Sequence, residues 1–177
     1  MTHLVLVTLK HAIVHRVHME AYRRALMRQA NVSGVTWVVS DEYRDAAVAS
    51  DRVVVDLPRG LPAVSADATL LERVIWNLVS NALRYSPAQA PVDVTATVAE
   101  HVVVLAIADR GPGIATAASA AVFTPFHRVG TQADGGTGLG LAIVRGFTEA
   151  MGMHVHLRER DGGGLVASVE MPAMVSP

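Results

Sequence analysis

The stretch VVVLAIADRGPGI, residues 102–114, decides the architecture expected for this chain. Its first seven residues, 102–108, are all apolar, which is typical of a central strand that is buried on both faces. Asp109 follows at the end of this strand, with Gly111 and Gly113 beside it. A carboxylate there can accept a hydrogen bond from an amine of a base, and glycines let the backbone approach a flat ring. The alternative is a capped turn after a strand.

The residues on either side of this stretch predict a mixed sheet. Strands are expected at 35–39, 51–57, 92–98, 102–108, 154–160 and 165–171, and helices at 41–49, 68–85 and 139–151. Asp67 suits the N-cap of the longest helix, which should stop before Pro87. Two hairpins are expected, the second around Gly162–Gly164. These elements predict an α/β (α+β) two-layer sandwich with a mixed β-sheet and helices packed on one face.

Length and composition limit the function. The chain has 177 residues, of which 51% are apolar and 18% charged, as expected for one folded domain. Its formal charge of −1 provides no field that would attract nucleic acid. It has no cysteine, which excludes disulfides, thiolate zinc sites and cysteine nucleophiles. Its apolar runs are far shorter than the roughly 18 residues of a membrane span. We therefore expect no direct membrane insertion.

Four residues share one face of the long predicted helix. Arg73, Asn77, Asn81 and Arg84 are spaced by four, four and three residues. Asparagine is a poor residue inside a helix, because its side chain competes for backbone hydrogen bonds. Amide oxygens suit a hard cation such as magnesium, and arginines suit phosphate. The alternative is an ordinary solvated face.

A glycine-rich segment, GGTGLGL at residues 135–141, leads into the helix expected at 139–151. Backbone N–H groups exposed at a helix start form an anion site that suits phosphates. No lysine follows the glycines as in a Walker A loop, and the spacing is not that of a Rossmann fingerprint. The alternative is a flexible linker.

Two aromatic residues interrupt a small-residue stretch, 115–133. Phe123 and Phe126 could attach this stretch to the core, and Arg128 could reach a phosphate. The alternative for the aromatic residues is plain packing.

The order of these four motifs resembles that of the catalytic ATP-binding domain of bacterial sensor histidine kinases. These domains share a superfamily with gyrase B subunits, heat-shock chaperones and mismatch-repair ATPases. The resemblance covers residues 35–172, leaving 1–34 as an unassigned N-terminal extension (a strand or short basic helix) and 173–177 as a tail. Residues 52–58, 77–82 and 149–152 look most like potassium-responsive Kdp-type sensor kinases.

The resemblance implies a cytoplasmic location and Mg-ATP as the ligand. Asn81 would coordinate the Mg²⁺ that bridges the ATP phosphates, with Asn77 as a second ligand or a positioner of water, and both would be catalytic. Asp109 would accept a hydrogen bond from the adenine amino group. Residues 115–133 would form the mobile ATP lid between the two glycine motifs. The remaining nucleotide contacts would come from Arg84, Tyr85, Gly111, Gly113, Ile114, Phe126, Arg128, Gly136, Thr137, Gly138, Leu139 and Gly140.

Position 77 bears on the reaction. The hydrolytic relatives carry a glutamate where this chain has Asn77. A carboxylate can take a proton from attacking water, whereas an amide cannot. We therefore expect slow ATP hydrolysis and favour phosphoryl transfer to a nucleophile supplied from elsewhere.

The acceptor histidine of a sensor kinase is usually followed by an acidic residue, with a proline a few positions on. None of the eight histidines in this chain fits that pattern. We expect a protein histidine kinase that transfers phosphate to a histidine-bearing acceptor domain or sensor kinase partner. A response regulator would then receive the phosphate. The family dimerises through the acceptor hairpin, so dimerisation is not implied. Two alternatives are an anti-sigma-factor-like serine kinase and a non-catalytic nucleotide-binding module or truncated kinase remnant.

Overall fold

The computed structural model describes residues 52–58, 61–62, 64–114, 121–127 and 138–174. The expected strand at 35–39, the expected helix at 41–49 and the extension at 1–34 lie outside the described residues. Most of the expected lid at 115–133 lies outside them as well. The domain boundary at residue 35 therefore stays a prediction.

Within the described residues, five strands form one mixed sheet. The strands are β1 (Val53–Asp56), β2 (Val92–Ala99), β3 (Val102–Ala108), β4 (His154–Glu159) and β5 (Leu165–Pro172). Their order across the sheet is β1-β2-β3-β5-β4, so the apolar strand β3 lies at the centre. β1 runs parallel to β2, and all other neighbours are antiparallel. The expected mixed sheet and both hairpins are confirmed.

Two helices and a short 3₁₀ turn accompany the sheet in the described part of the chain: α1 (Ala68–Tyr85), α2 (Gly140–Ala150) and Ala121–Phe123. α1 has the bounds expected from the sequence. The Asp67 carboxylate caps it by accepting hydrogen bonds from the backbone N–H groups of Thr69 and Leu70, at 2.8 and 2.9 Å. α2 is one residue shorter at each end than expected, because Leu139 and Met151 are its caps.

Both helices pack on the same face of the sheet. The apolar stripe of α1 is buried against alternate residues of β2, β3 and β5, whose registers place them on that face. Each such aliphatic side chain contributes roughly 1.5–3 kcal/mol when it is removed from water. The expected two-layer architecture is confirmed. The fully buried side chains that fill this interface include Leu71, Val74, Ile75, Val92, Val94, Leu105, Ile107, Val144, Val169 and Met171.

The connection between α1 and β2 is held by Arg52, which directly precedes β1. Its guanidinium donates hydrogen bonds to the carbonyl oxygens of Pro87 and Ala90, at 2.8 and 3.1 Å. These bonds fix the loop that follows the C-terminus of α1. The last turn of α1 is therefore held at the end of the sheet where β3 stops.

Candidate active site

Asp109 is a buried carboxyl group at the end of β3. Its Oδ1 atom accepts hydrogen bonds from the backbone N–H groups of Gly111 and Leu165, at 2.8 and 3.1 Å. Its own N–H group donates to the carbonyl oxygen of Leu165 at 2.8 Å. A buried charge is tolerated where hydrogen bonds satisfy it, and bonds of this kind fix its orientation. The carboxyl group is thus held by the turn after β3 on one side and by β5 on the other.

The turn after β3 lies against the C-terminus of α1. A Cβ atom at Gly111 would come within 2.7 Å of the carbonyl oxygen of Tyr85, so this close approach requires glycine. The N–H group of Arg110 donates to Ser86 Oγ at 3.1 Å. Gly113 has a φ of +73°, and Ile114 beside it is half-buried. The structure therefore brings the Asp-x-Gly-x-Gly turn and the end of α1 together.

Asn77 and Asn81 are half-buried on α1 and face the start of α2. A Cβ atom at Gly140 would lie 3.2 Å from Asn77 Oδ1 and 3.3 Å from Asn81 Nδ2. Asn77 Nδ2 donates a hydrogen bond to the carbonyl oxygen of Arg73 at 2.8 Å. This bond engages one N–H of the amide, and the amide oxygen lies near the Gly140 backbone at the start of α2. The structure thus joins the asparagine pair to the end of the glycine-rich segment.

The two contact regions on α1 are one helical turn apart. Asn81 and Tyr85 differ by four residues, or about 6 Å along a helix axis. Tyr85 is 41% exposed, and Arg84 beside it is exposed as well. The predicted site residues on α1, from Asn77 to Tyr85, consequently span about two and a half turns of the helix. They lead from the start of α2 to the turn that carries Asp109.

The aromatic segment meets the glycine-rich segment through the backbone. The N–H group of Phe126 donates to the carbonyl oxygen of Gly138 at 3.0 Å. Phe126 has a φ of +63° and a side chain that is 73% exposed. A Cβ atom at Gly138 would come within 2.9 Å of the Phe126 carbonyl carbon. Leu139 follows as the N-cap of α2, whereas Arg128, Gly136 and Thr137 lie outside the described residues.

Sequence reasoning missed the support behind Asp109. Gly164, expected only as part of a hairpin, is buried against the Asp109 carbonyl oxygen. Arg160 Nη1 donates to that same oxygen at 3.3 Å, and its Nη2 donates to Asp93 Oδ2 at 2.7 Å. The run of three glycines was a usable signal for the turn. No pattern in the sequence pointed to Arg160 or to Asp93, which occupies an ordinary polar position in the alternation of β2.

The amide pair fits a magnesium ion that is shared with phosphates. Across the residues that the structure describes, no cluster of three or more His, Asp or Glu side chains could hold a metal ion. Mg²⁺ in phosphoryl-transfer sites needs only one or two protein ligands, since phosphate oxygens and waters complete its shell. The amide oxygens of Asn77 and Asn81 are suitable donors of this kind. They are the residues that could hold the ion here.

A groove of about 340 Å³ lies between α2 and β4. It is lined by Phe123, Arg145, Glu149, Met153 and His156, among others. Apart from Phe123 of the aromatic segment, no residue of the four motifs lines it. This groove is therefore separate from the site along α1.

Comparison with known proteins identifies the family. Residues 66–174 match the model of the histidine kinase-, DNA gyrase B- and HSP90-like ATPases. The chain belongs to this family. It is 40% identical over 147 residues to the sensor protein KdpD of Rathayibacter rathayi and 41% identical over 124 residues to KdpD of Mycobacterium tuberculosis. These matches cover 82% and 70% of this chain. The expected membership is confirmed, and the KdpD relatives support the finer resemblance to Kdp-type kinases.

The fold agrees with solved structures. The catalytic domain of histidine kinase ThkA superimposes with a TM-score of 0.65 at 22% identity, covering 94% of this chain and 93% of that domain. At this identity the likeness shows the fold alone. The chain spans 17% and 14% of the lengths of the two KdpD relatives. It corresponds to the ATPase domain of sensor kinases. No helix in the described ranges has the length and apolar character that crossing a membrane requires.

Proposed function

We propose that this chain is the ATP-binding catalytic part of a protein histidine kinase. It binds Mg-ATP and donates the γ-phosphoryl group to a histidine on a separate acceptor domain or sensor kinase partner, which passes it to a response regulator. The observation that carries the proposal is the pairing of Asn77 and Asn81 with Gly140 at the start of α2. This arrangement offers amide oxygens and helix-start N–H groups in one place, without a carboxylate at position 77.

The adenine ring would lie at the turn after β3. There the buried Asp109 carboxyl group would accept a hydrogen bond from the 6-amino group of adenine. Gly111 would shape the pocket by letting this turn pack against the carbonyl group of Tyr85 at the end of α1. Gly113, Ile114 and Tyr85 would line this end. These groups are suited to the task because the carboxyl group is already oriented by two backbone N–H donors. Such preorganisation lowers the cost of ordering the site on binding.

The triphosphate would extend along α1 toward α2. Backbone N–H groups from Gly138 to Gly140 favour anions, because the start of a helix carries partial positive charge. Arg84 adds a cation, and Phe126 would cover the phosphate end. Arg128, Gly136 and Thr137 complete the proposed phosphate contacts.

Asn81 and Asn77 would hold the Mg²⁺ ion. When bound, the ion would supply charge neutralisation at the phosphate oxygens. The acceptor imidazole supplies its own lone pair, so the bond from the γ-phosphorus to the bridging oxygen breaks as a phosphorus–nitrogen bond forms, and ADP leaves. Because Asn77 cannot accept a proton from water, the site favours this transfer over hydrolysis.

The experiment combines the full chain with radiolabelled ATP and a separately supplied acceptor hairpin of a KdpD-type kinase. Label on the hairpin that is acid-labile and alkali-stable identifies phosphohistidine. The matched controls are a hairpin whose acceptor histidine is replaced by glutamine and the Asn81→Ala variant of this chain. Calorimetric titration with ATP, with and without magnesium, runs in parallel.

The outcomes separate the candidate functions. Transfer that needs the acceptor histidine, magnesium and Asn81 supports the proposal. Magnesium-dependent ATP binding without transfer identifies a nucleotide-binding module. Acid-stable label on a serine of a small partner protein identifies a serine kinase. A folded chain that binds no ATP contradicts both nucleotide binding and the kinase proposal.

A further inference from the structure

We propose that Arg160 is a positioning residue for adenine recognition. Its guanidinium fixes the turn that carries Asp109 by linking that turn to the carboxylate of Asp93. The inference rests on the proposed function, since it concerns how Asp109 distinguishes the 6-amino group of adenine. It assigns a role to two side chains outside the nucleotide-contacting residues. Both lie on the far side of Asp109 from α1.

Arg160 belongs to the turn between β4 and β5, not to the strand that carries Asp109. Its N–H group donates to the carbonyl oxygen of Gly164, and its own carbonyl oxygen accepts from Gly163, both at 3.0 Å. The backbone of Arg160 is therefore fixed within the hairpin turn. From this anchored position its guanidinium reaches the end of β3.

The guanidinium makes two different contacts with its two terminal nitrogens. Nη1 donates to the backbone carbonyl oxygen of Asp109 at 3.3 Å, and Nη2 donates to Asp93 Oδ2 at 2.7 Å. Asp93 lies on β2, opposite Ala108, the residue that precedes Asp109. One side chain thus joins the ends of β4, β3 and β2 around the turn that presents the carboxyl group. A planar fork with fixed donor directions is suited to such a double contact, whereas a lysine ammonium is not.

Asp93 also controls where the positive charge lies. Its Oδ2 atom is 2.7 Å from Arg160 Nη2 and 3.7 Å from Arg110 Nη2. Two cations therefore have a carboxylate partner other than Asp109. A carboxylate engaged by arginine has fewer lone pairs left for a neutral amine donor. Asp93 accordingly leaves the Asp109 carboxyl group available for the weaker adenine contact.

Arg160 and Asp93 are partly buried, which reduces the screening of their ion pair by solvent. The side chains of Arg160 and Asp93 are 20% and 28% exposed, whereas Arg110 is 48% exposed. Ion pairs that are fully exposed to water contribute little, because solvent and salt screen them. Partial burial and the short separation make the link between Arg160 and Asp93 the stronger of the two.

The test measures the affinity of the full chain for ATP and for purine riboside triphosphate, which lacks the 6-amino group. Arg160→Met removes both donors and keeps much of the side-chain volume. We expect ATP to bind about tenfold more weakly to this variant, whereas the analogue changes by no more than about twofold. Arg158→Met is the matched control, because Arg158 is exposed on β4, two residues before Arg160, and among the described contacts its side chain donates only to the carbonyl oxygen of Glu159.

Two further variants keep the test decisive if Arg160→Met fails to fold. Asp93→Asn removes the anchor while keeping its size, and we expect a smaller loss of preference for ATP over the analogue. Arg160→Lys keeps the charge but cannot make both contacts at once, so its preference should lie between those of wild type and Arg160→Met.

The possible results distinguish this inference from the proposed function. An equal loss for ATP and the analogue would show that Arg160 only maintains the fold, and unchanged preference in all three variants would show that it has no role in recognition. Both results overturn this inference and leave the proposed function intact. A wild-type chain that binds both nucleotides equally well would overturn adenine recognition by Asp109, and the inference with it.

Discussion

Gly164 lies so close to the backbone carbonyl group of Asp109 that a Cβ atom at position 164 would overlap its oxygen. Gly164 has a φ of +109°, a conformation that disfavours any residue with a side chain. The next residue, Leu165, then donates its N–H group to Asp109 Oδ1 at 3.1 Å. The β4–β5 turn is thereby part of the support for the candidate adenine-binding carboxyl group.

The first prediction uses this contact. Gly164→Ala should lower the free energy of unfolding by about 1–3 kcal/mol more than Gly162→Ala, because only the former also forces a methyl group into occupied space. Gly162 is the matched control, since its φ is +84° and nothing lies within 4 Å of its Cβ position. Denaturant unfolding of both variants measures the difference. Equal destabilisation would mean that backbone strain alone, not the contact with Asp109, requires glycine.

The second prediction concerns the two glycines of α2. Gly140→Ala should weaken magnesium-dependent ATP binding, because its methyl group would crowd Asn77 Oδ1 and Asn81 Nδ2 at 3.2 and 3.3 Å. Gly146→Ala meets nothing within 4 Å and should instead stabilise the helix by about 0.5–1 kcal/mol. Calorimetric titration and thermal unfolding separate the two effects. If both variants bind Mg-ATP like wild type, the asparagine pair is not the magnesium site.

The third prediction tests how the Asp109 carboxyl group recognises the adenine base. In Asp109→Asn the amide oxygen can still accept the hydrogen bonds from the N–H groups of Gly111 and Leu165. The NH₂ group then takes the place of the other carboxylate oxygen, Oδ2. That group repels the 6-amino group of adenine and suits the 6-oxo group of inosine. We expect ATP affinity to fall about tenfold or more, with the preference moving toward ITP. Competition between the two nucleotides measures this change, and a preserved preference for ATP would contradict the assignment.

The fourth prediction addresses the reaction. Asn77→Glu provides a proton acceptor for water, so phosphate release from ATP should rise, by up to about a hundredfold. Asn77→Gln is the control, because it has the same length as glutamate but no basic oxygen. A coupled phosphate-release assay compares both variants with wild type. Equal rates for the two substitutions would show that the residue at position 77 does not decide between hydrolysis and transfer.

Local patterns in the sequence were sufficient to predict the helices and strands that the structure describes. The capping residue Asp67 and the proline at position 87 predicted where α1 begins and ends, and seven consecutive apolar residues predicted β3. The asparagine spacing on α1 also predicted that Asn77 and Asn81 share a face, and the structure brings both against Gly140. Their roles in binding magnesium and nucleotide stay predictions, because only measurements with ligand test them.

Tertiary structure alone decided what surrounds Asp109. Arg160 and Asp93 are 67 positions apart in the chain, and Leu165 and Asp109 are 56 apart. Caps, hydrophobic periods and turn residues act over a few neighbouring positions, so they predict helices, strands and hairpins from the sequence. Contacts between distant residues exist only after β2, β3 and β5 have paired, because pairing brings their ends to the same edge of the sheet. The sequence therefore determined the helices, strands and candidate site residues, and the packing of the sheet determined which side chains hold those candidates in place.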